Sequence, residues 1–199
     1  MTTLQINSSL FGPGGQSTTL ANELVGRLGG KVVVRDLAKN PVPHLDGERF
    51  GAFMTKAERS AAQQAVIDYS DMLIAELRAA DTIVIGVPMY NFGIPSTLKA
   101  YFDHIARAGV TFKYTEKGAV GLLTGKKAYL VIARGGIYGD AHAHTTYVRD
   151  LLAFLGIADV ECVYAEGLAV SPASKETGLA RARNRIDGLT LNQRELALI

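Results

Sequence analysis

Five short runs rich in apolar residues recur along this chain, and the segments between them are too long for hairpins. The runs are Leu4 to Asn7, Lys31 to Arg35, Asp81 to Gly86, Lys127 to Ala133 and Val160 to Ala165. The third run, Asp81 to Gly86, is short, bounded and β-branched, which reads as a buried strand. Antiparallel strands can be joined by two residues, whereas parallel strands need crossovers of about a dozen or more. Most of the intervening sequence has a helical period. Ser17 and Thr18 are N-cap candidates for a helix from about Thr19 to Leu28. The pattern Thr55-x-x-Glu58 reads as a capping box for a long helix to about Ala79. Further helices are expected from Pro95–Ser96 to about Arg107, from about Thr145 to Leu155, and from about Ser174 onward. This alternation predicts one α/β domain over residues 1–199: a doubly wound five-stranded parallel sheet, order 2-1-3-4-5, with helices on both faces. Two stretches fall outside the pattern, Asp36 to Thr55 and Gly109 to Gly125, and read as irregular inserts longer than ordinary connections.

In an open sheet of that order the ligand crevice lies beyond the carboxyl ends of the strands, between strands one and three. Three loops therefore matter. After strand one, Ser9, Gln16, Ser17 and Thr18 supply neutral donors among Gly12, Gly14 and Gly15, ahead of a helix N-terminus, which suits a phosphate. The stretch Gly12-Pro13-Gly14-Gly15-Gln16-Ser17 misses the dinucleotide fingerprint at Ser17, and no Gly-Lys-Ser/Thr follows for a P-loop. A single phosphate monoester fits better than a pyrophosphate or a triphosphate. A glycine turn before a capped helix, with no ligand, is the plainer reading of this loop. After strand three, Pro88-Met89-Tyr90-Asn91-Phe92-Gly93-Ile94-Pro95 is proline-flanked and carries two aromatics and an amide, which suits the edge of a flat heteroaromatic ring. Its alternative is a rigid turn covering the core. After strand four, Ala133-Arg134-Gly135-Gly136 allows close approach of a ligand or makes a plain turn. Together the three loops describe a site for FMN.

The chain resembles the FMN-dependent NADH-azoreductases and NAD(P)H:quinone oxidoreductases, a flavodoxin-like family. The resemblance rests on Ser8-Ser9 with Gln16-Ser17, Asp36-Leu37 with Pro41-x-Pro43, and Pro88-Met89-Tyr90-Asn91-Phe92. It continues through Leu98-Lys99-x-Tyr101-Phe102-Asp103, Ala108-Gly109-Val110-Thr111-Phe112-x-Tyr114-Thr115-Glu116, Gly125-Lys126-Lys127 and Arg134-Gly135-Gly136. It implies FMN phosphate and ribityl contacts at Ser9, Gly15, Gln16 and Ser17. The ring would lie along Met89, Tyr90, Asn91 and Phe92, with Ala133, Arg134, Gly135 and Gly136 as the remaining wall. Gly15 stands where a serine is common, and Ala133 where a serine or threonine is common, which implies weaker retention of FMN. The resemblance also implies two-electron, ping-pong reduction of quinones and azo compounds by NADH or NADPH, with no catalytic residue beyond the flavin. Phe92, Phe112 and Tyr114 would form a stacking wall for flat acceptors, with Phe154 contributed by the partner chain of a homodimer. Aromatics expected to be exposed on the two inserts, Phe50 and Phe53 with Phe112 and Tyr114, fit that interface. The alternatives are a flavodoxin-type electron carrier and a flavin reductase.

Composition sets the remaining limits. A net charge of +2 with scattered positive residues gives no reason to expect nucleic acid or an anionic membrane as partner. No apolar run approaches the roughly 20 residues of a membrane span, and no basic segment precedes the first apolar residues, so a cytoplasmic location is expected. Cys162 is the one cysteine and is expected to be a buried, inert thiol. The pattern Asp140-x-His142-x-His144 has no third ligand in view and reads as a solvated loop, not a metal site. His104 reads as a surface or interface residue, and Arg181, Arg183 and Arg185 as solvated charge.

Overall fold

The computed structural model describes residues 1–196, and side chains as far as residue 190. Strands β1 (Thr2–Asn7), β2 (Lys31–Asp36), β3 (Thr82–Pro88), β6 (Lys127–Ala133) and β7 (Asp159–Ala165) form one parallel sheet in the order β2-β1-β3-β6-β7. Numbering only these five in chain order gives 2-1-3-4-5, so the topology read from the apolar runs holds. β3 is buried at every position, because it sits mid-sheet with helices over both faces. One core packs α3 (Ala61–Ala79), α4 (Ser96–Ile105) and α5 (Ala143–Phe154) against Leu4, Ile6, Ile83 and Ile85. The other packs α1 (Gln16–Leu28) and α6 (Pro172–Leu196) against Val84, Tyr129, Val131 and Val163. No helix among the described residues is long and apolar enough to cross a membrane.

Several local expectations are corrected. α1 begins at Gln16, with Gly15 as its N-cap and no side-chain cap, so Ser17 and Thr18 lie inside the first turn. Pro13 is the second residue of a single 3-10 turn, Gly12–Gly14, and the residue that ends this turn, Gly15, is also the N-cap of α1. The capping box sits five residues beyond the Thr55 pattern. Ser60 Oγ accepts from Gln63 N at 3.2 Å, and Gln63 Oε1 accepts from Ser60 N at 3.0 Å. Thr55 instead closes α2 (Gly47–Met54), an eight-residue helix in a stretch read as irregular. Two glycines weaken α2 locally, but Asp46 caps it by accepting from Arg49 N at 2.8 Å.

The second insert is also ordered. β4 (Phe112–Thr115) and β5 (Gly118–Gly121) pair as an antiparallel hairpin, a form that its exposed, weakly alternating residues do not announce. A Cβ on Gly121 would lie 2.0 Å from Gly156 N, so this hairpin touches the end of α5 backbone to backbone. β3 runs two residues further than its apolar stretch, ending at Pro88, and α4 stops at Ile105 instead of Arg107.

Candidate active site

The crevice at the carboxyl end of the sheet is floored by the ends of β1 and β3. Ser8 Oγ donates to Gly86 O at 2.7 Å and ties the two strand ends together. Ser9 then turns the chain: Gly12 N donates to Ser9 O at 3.0 Å and Phe11 N to Ser9 Oγ at 3.2 Å. Thr19 N bonds back to Gly15 O, while the first turn of α1 has neither a side-chain cap nor an acidic residue. Helix-start amides without such partners form a positive, anion-seeking end. The Ser17 hydroxyl lies in that turn, buried and with no hydrogen-bond partner among the described residues. An orphaned hydroxyl at an uncapped helix start fits a phosphate acceptor, and Ser9, Gly15, Gln16 and Ser17 are the residues able to hold one. The hydroxyl of Thr18 is orphaned in the same way.

The ring loop is held by geometry that its prolines alone do not explain. Met89 N donates to Ala133 O at 2.9 Å, and Tyr90 and Gly93 exchange two backbone bonds of 3.0 Å each. That exchange encloses Asn91 and Phe92, both left-handed at φ 49° and 66°. Positive φ at both central residues is the type I′ hairpin turn, which normally takes glycine or asparagine. For Phe92 this is strain, and strain of this kind persists where the surroundings over-determine it. The anchors are visible. Tyr90 Oη lies 3.3 Å from Ser9 Oγ and accepts from Leu10 N at 3.2 Å, so the ring loop is tied to the phosphate loop. The Phe92 ring meets Tyr138 edge-on at 6.3 Å. Asn91 and Phe92 are exposed, the latter at 69%.

The third loop divides between site and scaffold. Gly135 is exposed and Gly136 half-buried, whereas Ala133 and Arg134 are buried. Arg134, expected on the ligand wall, has its guanidinium wholly buried in the protein. It pairs with Glu166 at 3.0 Å, donates to Gly139 O at 2.8 Å and bonds Thr145 Oγ1. Its backbone is engaged as well, Arg134 N donating to Ala165 O at 2.9 Å and Arg134 O accepting from Leu168 N at 3.2 Å, so it supports the wall from behind. Sequence reasoning passed over Tyr138, whose ring folds back over Gly136. A Cβ on Gly136 would lie 2.9 Å from that ring, so any larger residue there displaces Tyr138.

The acceptor wall also needs revision. Phe112, expected to be exposed, is buried, with Tyr114 edge-on at 5.5 Å and Phe154 tilted against it at 4.4 Å. Within this cluster Tyr114 is the exposed member, at 74%. Phe154 is half-buried beneath its own chain's hairpin. On α2, Phe50 is exposed but Phe53 is half-buried, edge-on to His104 at 5.9 Å.

The histidines differ from their sequence reading. His104 is buried, bonded through Nδ1 to Ala100 O at 2.9 Å, and its pKa is lowered by that burial. His142 caps α5, its Nδ1 accepting from His144 N at 3.1 Å. His144 is also buried, not in a solvated loop. Among the described residues no group of three or more His, Cys, Asp or Glu is placed to hold a metal. Cys162 is half-buried, and burial raises its thiol pKa. Arg183 and Arg185 are paired, with Glu23 at 3.0 Å and Glu161 at 2.6 Å.

These features agree with the chain's relatives. The family described as having a flavodoxin-like fold matches residues 1–189. A protein of Cellvibrio japonicus (strain Ueda107), an FMN-dependent NADH:quinone oxidoreductase, is 57% identical over 194 residues, covering 94% of this chain and 96% of that protein. The crystal structure of the azoreductase AzrA superposes with a TM-score of 0.86 at 27% identity, covering 96% of this chain and 99% of that one. A Bacillus anthracis (strain Ames Ancestor) FMN-dependent NADH-azoreductase, solved with FMN, gives 0.80 at 29% identity, covering 95% and 99%. The chain belongs to the flavodoxin-like family of FMN-dependent NADH:quinone oxidoreductases and azoreductases.

Proposed function

We propose that the protein is an FMN-dependent NADH:quinone oxidoreductase that also reduces azo compounds. The observation that carries the reading is the Tyr90 hydroxyl, which contacts Ser9 Oγ and Leu10 N. It joins a phosphate-type helix start to a ring-type loop in one crevice, as a mononucleotide flavin requires. FMN supplies the redox chemistry, accepting electrons from NADH and passing them in pairs to the acceptor. The protein binds and orients. Ser9, Gly15, Gln16 and Ser17 hold the phosphate end, Met89 to Phe92 meet the ring edge, and Gly135 and Gly136, backed by the buried Ala133 and Arg134, close the other side. Phe92 and Tyr114 present flat apolar surface to a planar acceptor, while Phe112 supports Tyr114 edge-on and is itself backed by Phe154.

Exposed Phe50, Phe92 and Tyr114 further support a homodimer whose interface shares the acceptor pocket. One cytoplasmic flavin domain spanning residues 1–199 is the simplest organisation, although residues 197–199 lie outside the described residues. The net charge of +2 gives no sign of a nucleic-acid or membrane partner. Purified protein should keep FMN through gel filtration, elute as a dimer by light scattering, and oxidise NADH with benzoquinone or methyl red as acceptor. Colourless protein that oxidises no NADH when FMN is added overturns the proposal. Activity only toward free flavin would identify a flavin reductase instead.

A further inference from the structure

His144 is the second residue of α5 and is 2% exposed, yet it takes no part in the phosphate or acceptor contacts. Its Nε2 lies 3.3 Å from the carbonyl oxygen of Pro88, while Nδ1 is buried with no partner among the described residues. A carbonyl only accepts, so Nε2 must carry the proton and Nδ1 must be a bare lone pair. Burial and the Arg134 cation both favour this neutral ring. An orphaned buried acceptor is unfavourable, so packing alone is a poor reason for histidine here.

Pro88 explains the need for a donor. The last β1–β3 pair is Asn7 with Gly86, so Pro88 lies beyond the end of β1. Directly after Pro88 comes Met89, and then the left-handed Asn91–Phe92 turn. That turn is strained, and it holds its shape only while both its ends are fixed. Tyr90 and Phe92 are tied at the tip by Ser9 and Tyr138. At the base, the His144 bond and the Met89–Ala133 bond fix the chain.

We propose that His144 is a positioning residue for FMN: its Nε2–H bond to the Pro88 carbonyl sets the base of the Met89–Gly93 turn and thereby the fit of the ring. This rests on the reading that the turn meets the flavin. The test uses apoprotein titrated with FMN, following flavin fluorescence and the visible absorption bands. His144→Leu keeps volume but loses the donor, and should weaken FMN about fivefold and shift the bands. His144→Gln restores an N–H donor and should recover most of both. Unchanged binding in His144→Leu, or equal impairment in both variants, overturns the proposal. Asn91→Ala separates the two claims: if it leaves affinity and bands unchanged, the site reading fails and takes this proposal with it. If Asn91→Ala perturbs them and His144→Leu does not, only this proposal fails. Should His144→Leu not fold, nitrogen NMR of the wild-type imidazole decides. A neutral Nε2–H ring at pH 7 supports the proposal, and an Nδ1–H or charged ring contradicts it.

Discussion

The hydroxyl of Ser9 stands where a side chain on Gly15 would have to go. A Cβ built on Gly15 lies 2.0 Å from Ser9 Oγ and 2.5 Å from Ser9 Cβ, so a new Ser9 rotamer alone gives no relief. The glycine that looked like a missing hydroxyl is the space that lets Ser9 face the helix start. Gly15→Ser should therefore weaken FMN binding instead of tightening it, by about tenfold or more. Ser9→Gly placed on top of Gly15→Ser removes the clash and should recover part of the loss. Calorimetric titration of the single and double variants checks this, and tighter binding by Gly15→Ser alone would refute it.

Phe92 trades stability for surface. At φ 66° a non-glycine residue costs roughly 1–2 kcal/mol. Phe92→Gly should raise Tm by about 2–4 °C per kcal/mol recovered in a chain of this size. The same change should raise KM for quinone and dye acceptors, because the exposed ring is lost. Paired thermal melts and steady-state kinetics read both effects.

Arg134 belongs to the scaffold beneath the third wall. Removing it strands Glu166, which also accepts from Tyr138 N at 2.9 Å and Gly139 N at 3.1 Å. Arg134→Met should destabilise by about 3–5 kcal/mol, and Arg134→Lys should not restore the forked contacts. Denaturant midpoints with unchanged slope are the measurement.

His144 makes stability depend on acid. Burial pushes its pKa down to about 4 from 6.5. Between those values the unfolded chain binds more protons than the folded one, so stability falls as pH drops from about 6.5 to 4 and levels below that. The loss from this residue is on the order of 3 kcal/mol, and His144→Gln should remove it from the pH profile of unfolding. His104, whose pKa burial also lowers, leaves part of the slope in place.

The sheet order was legible because β3 and β6 carry unbroken apolar runs, β1 and β7 apolar residues interrupted only by Gln5 and Glu161, with crossover-length segments between them. α2 was not, because Gly47 and Gly51 depress its local propensity and its support comes from docking Phe53 against His104, 51 residues away. The buried states of Arg134 and His144 were equally hidden. Arg134 is neutralised by Glu166, 32 residues on, and His144 meets Pro88 across 56 residues. The three candidate loops were legible as loops. Which side chains in them face a ligand and which face the protein depends on such distant partners.

Tyr114 tests the acceptor wall. Tyr114→Ala should raise KM for a bulky azo dye several-fold while leaving NADH oxidation with benzoquinone nearly unchanged, since the larger ring system loses more stacking. Unaltered dye kinetics would remove Tyr114 from the site.

The central claim is that a flavin phosphate sits at the start of α1 with its ring on the Met89–Phe92 turn. Side-by-side titration of the apoprotein with FMN and riboflavin tests it most directly. Two or more charge-assisted bonds at the helix start predict that FMN binds about 100-fold tighter than riboflavin. Equal affinity for the two would contradict the account.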